Sequence, residues 1–159
     1  MTAEASAAVR KVMQGNRSRD TKPELLLRSE LHSRGLRYRV AARPLPTLRW
    51  TADVVFTRAK VAVFIDGCFW HRCPHHYRQP SSNVNYWIAK VNRNVERDQR
   101  VDSLLHDAGW TVVRVWEHDD PLAVADFVER LVGRRQSPGA GDPGAADHNQ
   151  ITSGHRIKV

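Results

Sequence analysis

Apolar residues recur along this chain first at helical spacing, then in short continuous runs. Leu25, Leu26, Leu27 and Leu31 follow Thr21-Lys22-Pro23-Glu24. That opening predicts a helix with a capping box: the Thr21 hydroxyl caps, Glu24 reaches back, and Pro23 is tolerated in the first turn. Gly35 is its natural stop. Leu36 to Val40 predicts a short strand, and Pro44 and Pro46 punctuate a loop. Two β-rich runs follow, Trp50 to Phe56 and Lys60 to Ile65. The polar turn Thr57-Arg58-Ala59 between them is short enough for an antiparallel hairpin. Asn85 to Ala108 reads as a long charged helix, or two broken ones, ending at Gly109. Trp110 to Trp116 is another strand and Leu122 to Val132 a closing helix. The order α-β-β-β-α-β-α predicts an α/β fold, a mixed central sheet flanked by helices.

The ends lack such patterning. Residues 1–20 form a basic arm carrying Arg10, Lys11, Arg17 and Arg19, with a short helix expected around Ala3 to Met13. Residues 133–159 are rich in Gly, Pro, Ser and Asp without a period, and are read as a disordered tail. One folded domain is left, residues 21–132, which suits a chain of 159 residues. Charge then narrows the class: 25 Lys+Arg against 17 Asp+Glu leave a formal +8. Such an excess favours a polyanionic partner, because phosphate contacts release condensed counterions. No apolar run approaches the ~18 residues needed to span a bilayer, and Met1 to Arg10 lacks the apolar core of a signal peptide. A cytosolic protein without membrane partners is expected. In a reducing compartment the two cysteines, Cys68 and Cys73, point to metal or reactive thiols rather than a disulfide.

The densest chemistry lies in Cys68-Phe69-Trp70-His71-Arg72-Cys73-Pro74-His75-His76, with His118 just beyond the strand ending at Trp116. Thiolate and imidazole donors suit tetrahedral zinc, and four protein ligands make a structural site. The preferred set is Cys68, Cys73, His75 and His118, with His76 as the substitute for His75. Asp53 interrupts a run of strand formers, where a carboxylate is costly unless paired, exposed at a cleft or bound to a cation. Asp66 ends the following strand, and Glu24 is a third candidate. Converging carboxylates beside a basic surface are what Mg²⁺-dependent phosphodiester cleavage needs. Against that stands a plain reading of Asp53 as a satisfied strand-edge acid and Glu24 as a cap. His71 is a candidate general base and Asp98 a candidate to orient it, although Glu96-Arg97-Asp98-Gln99-Arg100 is also how a solvated helix face reads. Phe69-Trp70 is either core or a wedge that enters weakened base steps.

Taken in order, these segments resemble the very short patch repair (Vsr) mismatch endonucleases. The resemblance is carried by Arg19-Asp20-Thr21 with Glu24, Ala52-Asp53-Val54-Val55, Phe64-Ile65-Asp66-Gly67-Cys68-Phe69-Trp70-His71, Trp87 with Asn94-Val95-Glu96-Arg97-Asp98, and Gly109-Trp110 with Val115-Trp116-Glu117. It covers about residues 10 to 120. It implies a restriction-endonuclease-like α/β/α fold with one structural Zn²⁺, and Mg²⁺-dependent nicking 5′ of the mispaired T in a T·G mismatch of double-stranded DNA. It implies Asp53 as Mg²⁺ ligand, the Ile65 carbonyl as backbone ligand and Glu24 acting through bound water. His71 is then the general base, oriented by Asp98. Phe69 and Trp70 would intercalate, with Met13 of the arm entering from the other groove. A monomer that meets mismatch-repair proteins at the bacterial nucleoid is the expected setting.

Three departures from the family pattern stand out. The restriction-type lysine two residues after an acid is replaced by Cys68 after Asp66, and His71 takes its role in this family. Asp66 stands where the best-known members carry histidine, so it either binds metal or packs. Cys73 falls where a histidine is usual, and His75 and His118 where cysteines are usual; each exchange keeps a zinc-competent donor. Two other classes share many of these features. One is a non-catalytic, zinc-stapled DNA-binding module that recognises distorted duplex. The other is a restriction enzyme cutting matched DNA on the same fold.

Overall fold

The computed structural model describes residues 19–136 and 156–158. Helix α1 spans Lys22–Ser33. Strand β1 (Arg39–Ala42) leads into the hairpin of β2 (Ala52–Phe56) and β3 (Val61–Asp66). Helix α2 (Val84–Asp107) carries the chain across to β4 (Thr111–Trp116), and α3 (Pro121–Gln136) closes the sequence of helices. The sheet order is β1-β2-β3-β4-β5, with β5 at Arg156–Lys158. Strands β1, β2 and β3 pair antiparallel, β3 and β4 parallel, and β4 and β5 antiparallel. A parallel pair needs a long crossover, and α2 supplies it.

Two apolar layers hold the sheet between helices. On one face Leu27 and Leu31 of α1 and Val124, Ala125, Val128 and Val132 of α3 pack on Val54, Phe56, Val61, Val63, Val113 and Val115. On the other, Val101 and Leu105 of α2 meet Val55, Ala62, Phe64 and Val112. The alternation Val61/Val63 against Ala62/Phe64 is the two-residue period of a strand buried on both faces. Among the described residues no helix is long and apolar enough to cross a membrane.

Both predicted glycine stops are used, and for one reason. Gly35 and Gly109 adopt φ of 73° and 77°, the left-handed region that costs a Cβ-bearing residue most. After α1 the Gly35 N–H reaches the His32 carbonyl and the Leu36 N–H reaches Leu31; after α2, Gly109 reaches His106 and Trp110 reaches Leu105. Each is a Schellman closure with an apolar partner behind it.

Two expectations need correction. The capping box forms in altered shape: the Thr21 hydroxyl donates to Glu24 Oε1 at 2.9 Å rather than accepting a backbone N–H. Pro23 removes one N–H that a cap would receive, and Glu24 Oε2 instead accepts the Asp20 N–H at 2.9 Å. The tail expected to be disordered from residue 133 is partly ordered. Helix α3 runs on to Gln136, where Arg135 donates to the Thr111 hydroxyl at 2.5 Å and so ties the last turn to β4. Farther on, Arg156–Lys158 covers the open edge of β4 as β5, because a strand edge is a template for backbone pairing whatever the segment's composition. The arm's expected helix around residues 3–13 lies outside the described residues.

Candidate functional site

The sheet end formed by the start of β2 and the ends of β3 and β4 gathers the acids. Asp53 is the second residue of β2, and its Oδ2 accepts the Ile65 N–H of β3 at 2.7 Å. That bond fixes the carboxylate beside the Ile65 backbone. Burial, followed by the nearby charges of Glu24 and Asp66, raises Asp53 from 3.8 to about 6 against the lowering pull of the Ile65 N–H and Arg114. An acid kept this reluctant to ionise gains most when a cation is beside it. Glu24, buried at the start of α1, has its own company in the Asp20 N–H, the Thr21 hydroxyl and Arg28 Nη2 at 3.6 Å.

A second group lies on the α2 side of the sheet. His71 Nδ1 is 2.5 Å from Asp98 Oδ2 and 3.6 Å from Asp66 Oδ1. An ionised carboxylate only accepts, so Nδ1 carries the shared proton and Nε2 is left as the basic lone pair. Helix α2 presents Asp98 and, one turn on, Asp102 toward the sheet, where both are buried. Between them sits Arg114 of β4, itself buried, with Nε 2.8 Å from Asp102 Oδ1, Nη1 2.9 Å from Asp66 Oδ1 and Nη2 3.6 Å from Asp98 Oδ1. Its guanidinium lies 4.4 Å from the Phe64 ring centroid, the residue registered opposite it on β3. Burial pushes Asp98 up, but the His71 hydrogen bond and the Arg114 charge outweigh it and hold the carboxyl below its ordinary range.

The cysteines and histidines form a separate cluster at the root of the 67–83 loop. Cys68 Sγ is 3.1 Å from His118 Nδ1 and 3.8 Å from His76 Nδ1, and Cys73 Sγ is 3.6 Å from His76 Nδ1. One donor atom from each of these four residues lies within 4.8 Å of the others, a little wider than the roughly 3.3–3.8 Å between ligands of tetrahedral zinc. The set is Cys68, Cys73, His76 and His118. His75, the residue preferred from sequence, is exposed and outside it. The reason is local: the Tyr77 N–H closes a turn on the Cys73 carbonyl at 3.0 Å, and in a helical turn the residue three positions on returns beside the first while the one two positions on points away. Burial, the Cys73 thiol and Glu117 push the Cys68 thiol up to about 12. A thiol so disinclined to ionise becomes a thiolate when a divalent cation takes the proton's place. Glu117 also accepts the Cys68 N–H at 2.8 Å, tying the loop to the end of β4.

Phe69 and Trp70 are half-buried and pack edge to face, with centroids 5.0 Å apart. Both meet Trp87 of α2, at 5.6 and 5.9 Å, and Phe69 also stacks on Tyr77. Lys90 Nζ lies 5.2 Å from the Trp70 ring. The pair is thus neither core nor free-standing; it is a half-exposed aromatic ledge braced from behind. Asn94 Nδ2 donates to the Trp70 carbonyl at 3.3 Å and anchors the loop on α2.

Of the residues singled out from sequence, Asp53 bonds to Ile65 and feels the charge of Glu24, His71 and Asp98 join directly, and Cys68, Cys73 and His118 cluster with His76. Met13 lies outside the described residues. Arg114, Asp102 and Glu117 were given no role in the sequence reading. A signal for Arg114 was present: an arginine inside Thr111-Val112-Val113-Arg114-Val115-Trp116, a strand buried at every position, cannot go without acid partners.

The model of the family described as "DNA mismatch endonuclease Vsr" matches residues 4–79. The chain is 53% identical over 122 residues to type II nicking enzyme V.NaeI of Lentzea aerocolonigenes, covering 75% of this chain and 74% of that protein. It is 41% identical over 132 residues to type II nicking enzyme V.NmeDIP of Neisseria meningitidis serogroup C, covering 80% and 87%. Against DNA mismatch endonuclease Vsr of Escherichia coli strain K12 the identity is 38% over 110 residues, with 67% of each chain covered.

Proposed function

The chain belongs to the Vsr family of DNA mismatch endonucleases, and from that premise we propose that it nicks one strand of duplex DNA 5′ of the mispaired T in a T·G mismatch, initiating very short patch repair. The observation that carries this reading is the His71–Asp98 pair, which Asp66 links to the sheet end that carries Asp53. A histidine with its Nδ1 on a buried carboxylate is a general base, and an acid raised to about 6 is a cation ligand in waiting.

Asp53 and the Ile65 carbonyl would hold Mg²⁺, with Glu24 acting through bound water. These are hard oxygen donors of the kind that ion selects. When bound, the ion neutralises charge building on the scissile phosphate. His71 Nε2 takes a proton from the water that attacks phosphorus, and Asp98 steadies the imidazolium that results. Cys68, Cys73, His76 and His118 would hold a structural Zn²⁺ that keeps the loop bearing His71 folded against β4. Phe69 and Trp70 would enter the base stack beside the mismatch, where unstacking costs least, with Met13 approaching from the other groove. The net charge of +8 supports attraction to duplex DNA, and the protein would act as a cytoplasmic monomer.

The test uses end-labelled duplexes carrying one T·G mismatch in randomised flanks with Mg²⁺, beside matched duplex and the Asp53→Ala protein. A nick confined to the T strand at the mismatch, lost in the variant, is expected. Cleavage of matched duplex would transfer the protein to the restriction enzymes, and tight binding without a cut would make it a recognition module.

A further inference from the structure

Two carboxylates face one nitrogen at the cutting edge. His71 Nδ1 lies near both Asp98 Oδ2, at 2.5 Å, and Asp66 Oδ1, at 3.6 Å. In a cleft this enclosed, two acids competing for one imidazole would leave its plane and its partner ill-defined. We propose that Arg114 is the positioning residue that resolves this competition: its guanidinium engages Asp66 and braces Asp98, so that Asp98 alone makes the close bond to His71. The inference rests on the functional reading given above.

The geometry uses three directions of one planar fork. Nη1 meets Asp66 on the very oxygen that approaches His71, at 2.9 Å. Nη2 stands 3.6 Å from Asp98 Oδ1, the oxygen that Arg97 Nη2 also approaches at 3.1 Å, while Oδ2 is given to His71. Nε is tied to Asp102 Oδ1 at 2.8 Å, which fixes the rotation of the fork, and the Phe64 ring lies beside its plane. Asp102 is one helical turn beyond Asp98, so α2 and β4 are locked together where the base is held. The same three residues, Asp66, His71 and Asp98, are close enough for a metal ion, but Arg114 already supplies the positive charge there. A lysine has one charge centre and no fork, so it can satisfy one acid but not three.

The experiment is a double-mutant cycle on mismatched duplex, read as single-turnover nicking with excess enzyme. Duplex affinity is measured separately with Ca²⁺ replacing Mg²⁺. Arg114→Leu is expected to slow nicking about 30-fold or more with affinity changed less than about twofold, and Arg114→Lys to recover part of the rate. In an Asp98→Asn background, Arg114→Leu should slow nicking by less than about threefold further, because its effect runs through Asp98. Losses that multiply in the double variant would overturn the proposal, as would an unchanged rate in Arg114→Leu. Should circular dichroism show Arg114→Leu unfolded, Asp102→Asn takes its place in the cycle. It keeps Arg114 but frees its Nε, and should slow nicking several-fold in the parent and not in the Asp98→Asn protein; equal losses in both would overturn the proposal. A parent protein that leaves every T·G duplex whole would end the functional reading, and this inference with it. Nicking with multiplicative losses would end the inference alone.

Discussion

Asp53 and Asp98 are acids at the same end of one sheet, and their surroundings drive them apart. Burial lifts both. Asp53 receives one backbone N–H and stands near Glu24 and Asp66, and it rises to about 6. Asp98 receives His71 and faces Arg114 and Arg97, and it falls below its ordinary range. One acid has its positive charge built into the fold; the other is left to find one outside. The difference is the electrostatic ground for the roles proposed above: a fixed carboxylate suits orienting a base, and an under-compensated one suits holding a cation.

The largest effect should come from removing either side of this division. His71→Ala and Asp53→Ala are each expected to lower nicking by about 10²-fold or more while mismatched-duplex binding, followed by fluorescence anisotropy, stays largely intact. Loss of binding in both would make the two regions parts of a binding surface instead.

Separating the regions physically is the next test. His76→Ala should release Zn²⁺, lower the thermal midpoint by several degrees and slow nicking with it, since His71 rides on the same loop. His75→Ala should leave both the zinc content, measured by atomic emission, and the midpoint near those of the parent. The reverse pattern would return His75 to the ligand set.

A smaller effect concerns stability. An acid that holds its proton more tightly folded than unfolded costs stability above both values and nothing below both. For Asp53 that cost sets in between 3.8 and about 6. Metal-free Asp53→Asn should therefore be more stable than the parent by up to about 3 kcal/mol at pH 8, a gain that disappears near pH 3.5. Urea melts at the two values check it. Mg²⁺ should stabilise the parent and not the variant, and a parent more stable than Asp53→Asn at pH 8 without metal would contradict the account.

The smallest concerns Glu24, whose charge helps to raise Asp53. Glu24→Gln should weaken Mg²⁺ binding by less than about tenfold, measured calorimetrically, because a carboxylate acting through water contributes less than a direct ligand.

Much of this arrangement was legible in particular residues. The strands around Asp53 and Asp66, the helix bearing Asp98 and the two glycine stops follow from short-range rules: apolar period, turn length and φ > 0. That Cys68, Cys73 and His118 carry metal-competent donors could be read because donor type is a property of the side chain; that they cluster could not. The choice between His75 and His76 could not, since it depends on a turn closed by the Tyr77 N–H. The ordering of Arg156–Lys158 as an edge strand was equally hidden, because pairing is decided by the free edge of β4 rather than by the segment's own pattern.

The sequence by itself determined the order of elements, the sign of the charge, the kinds of donor available and, through its motifs, the family. The tertiary structure alone decided which acids share a space. Asp66, Asp98, Asp102 and Arg114 are separated by up to 48 positions along the chain. They meet because the β3–α2–β4 crossover lays two parallel strands beside one helix. Charge interactions depend on distance and burial, neither of which is a property of sequence separation, so the same kind of side chain is raised to about 6 at Asp53 and held below its ordinary range at Asp98.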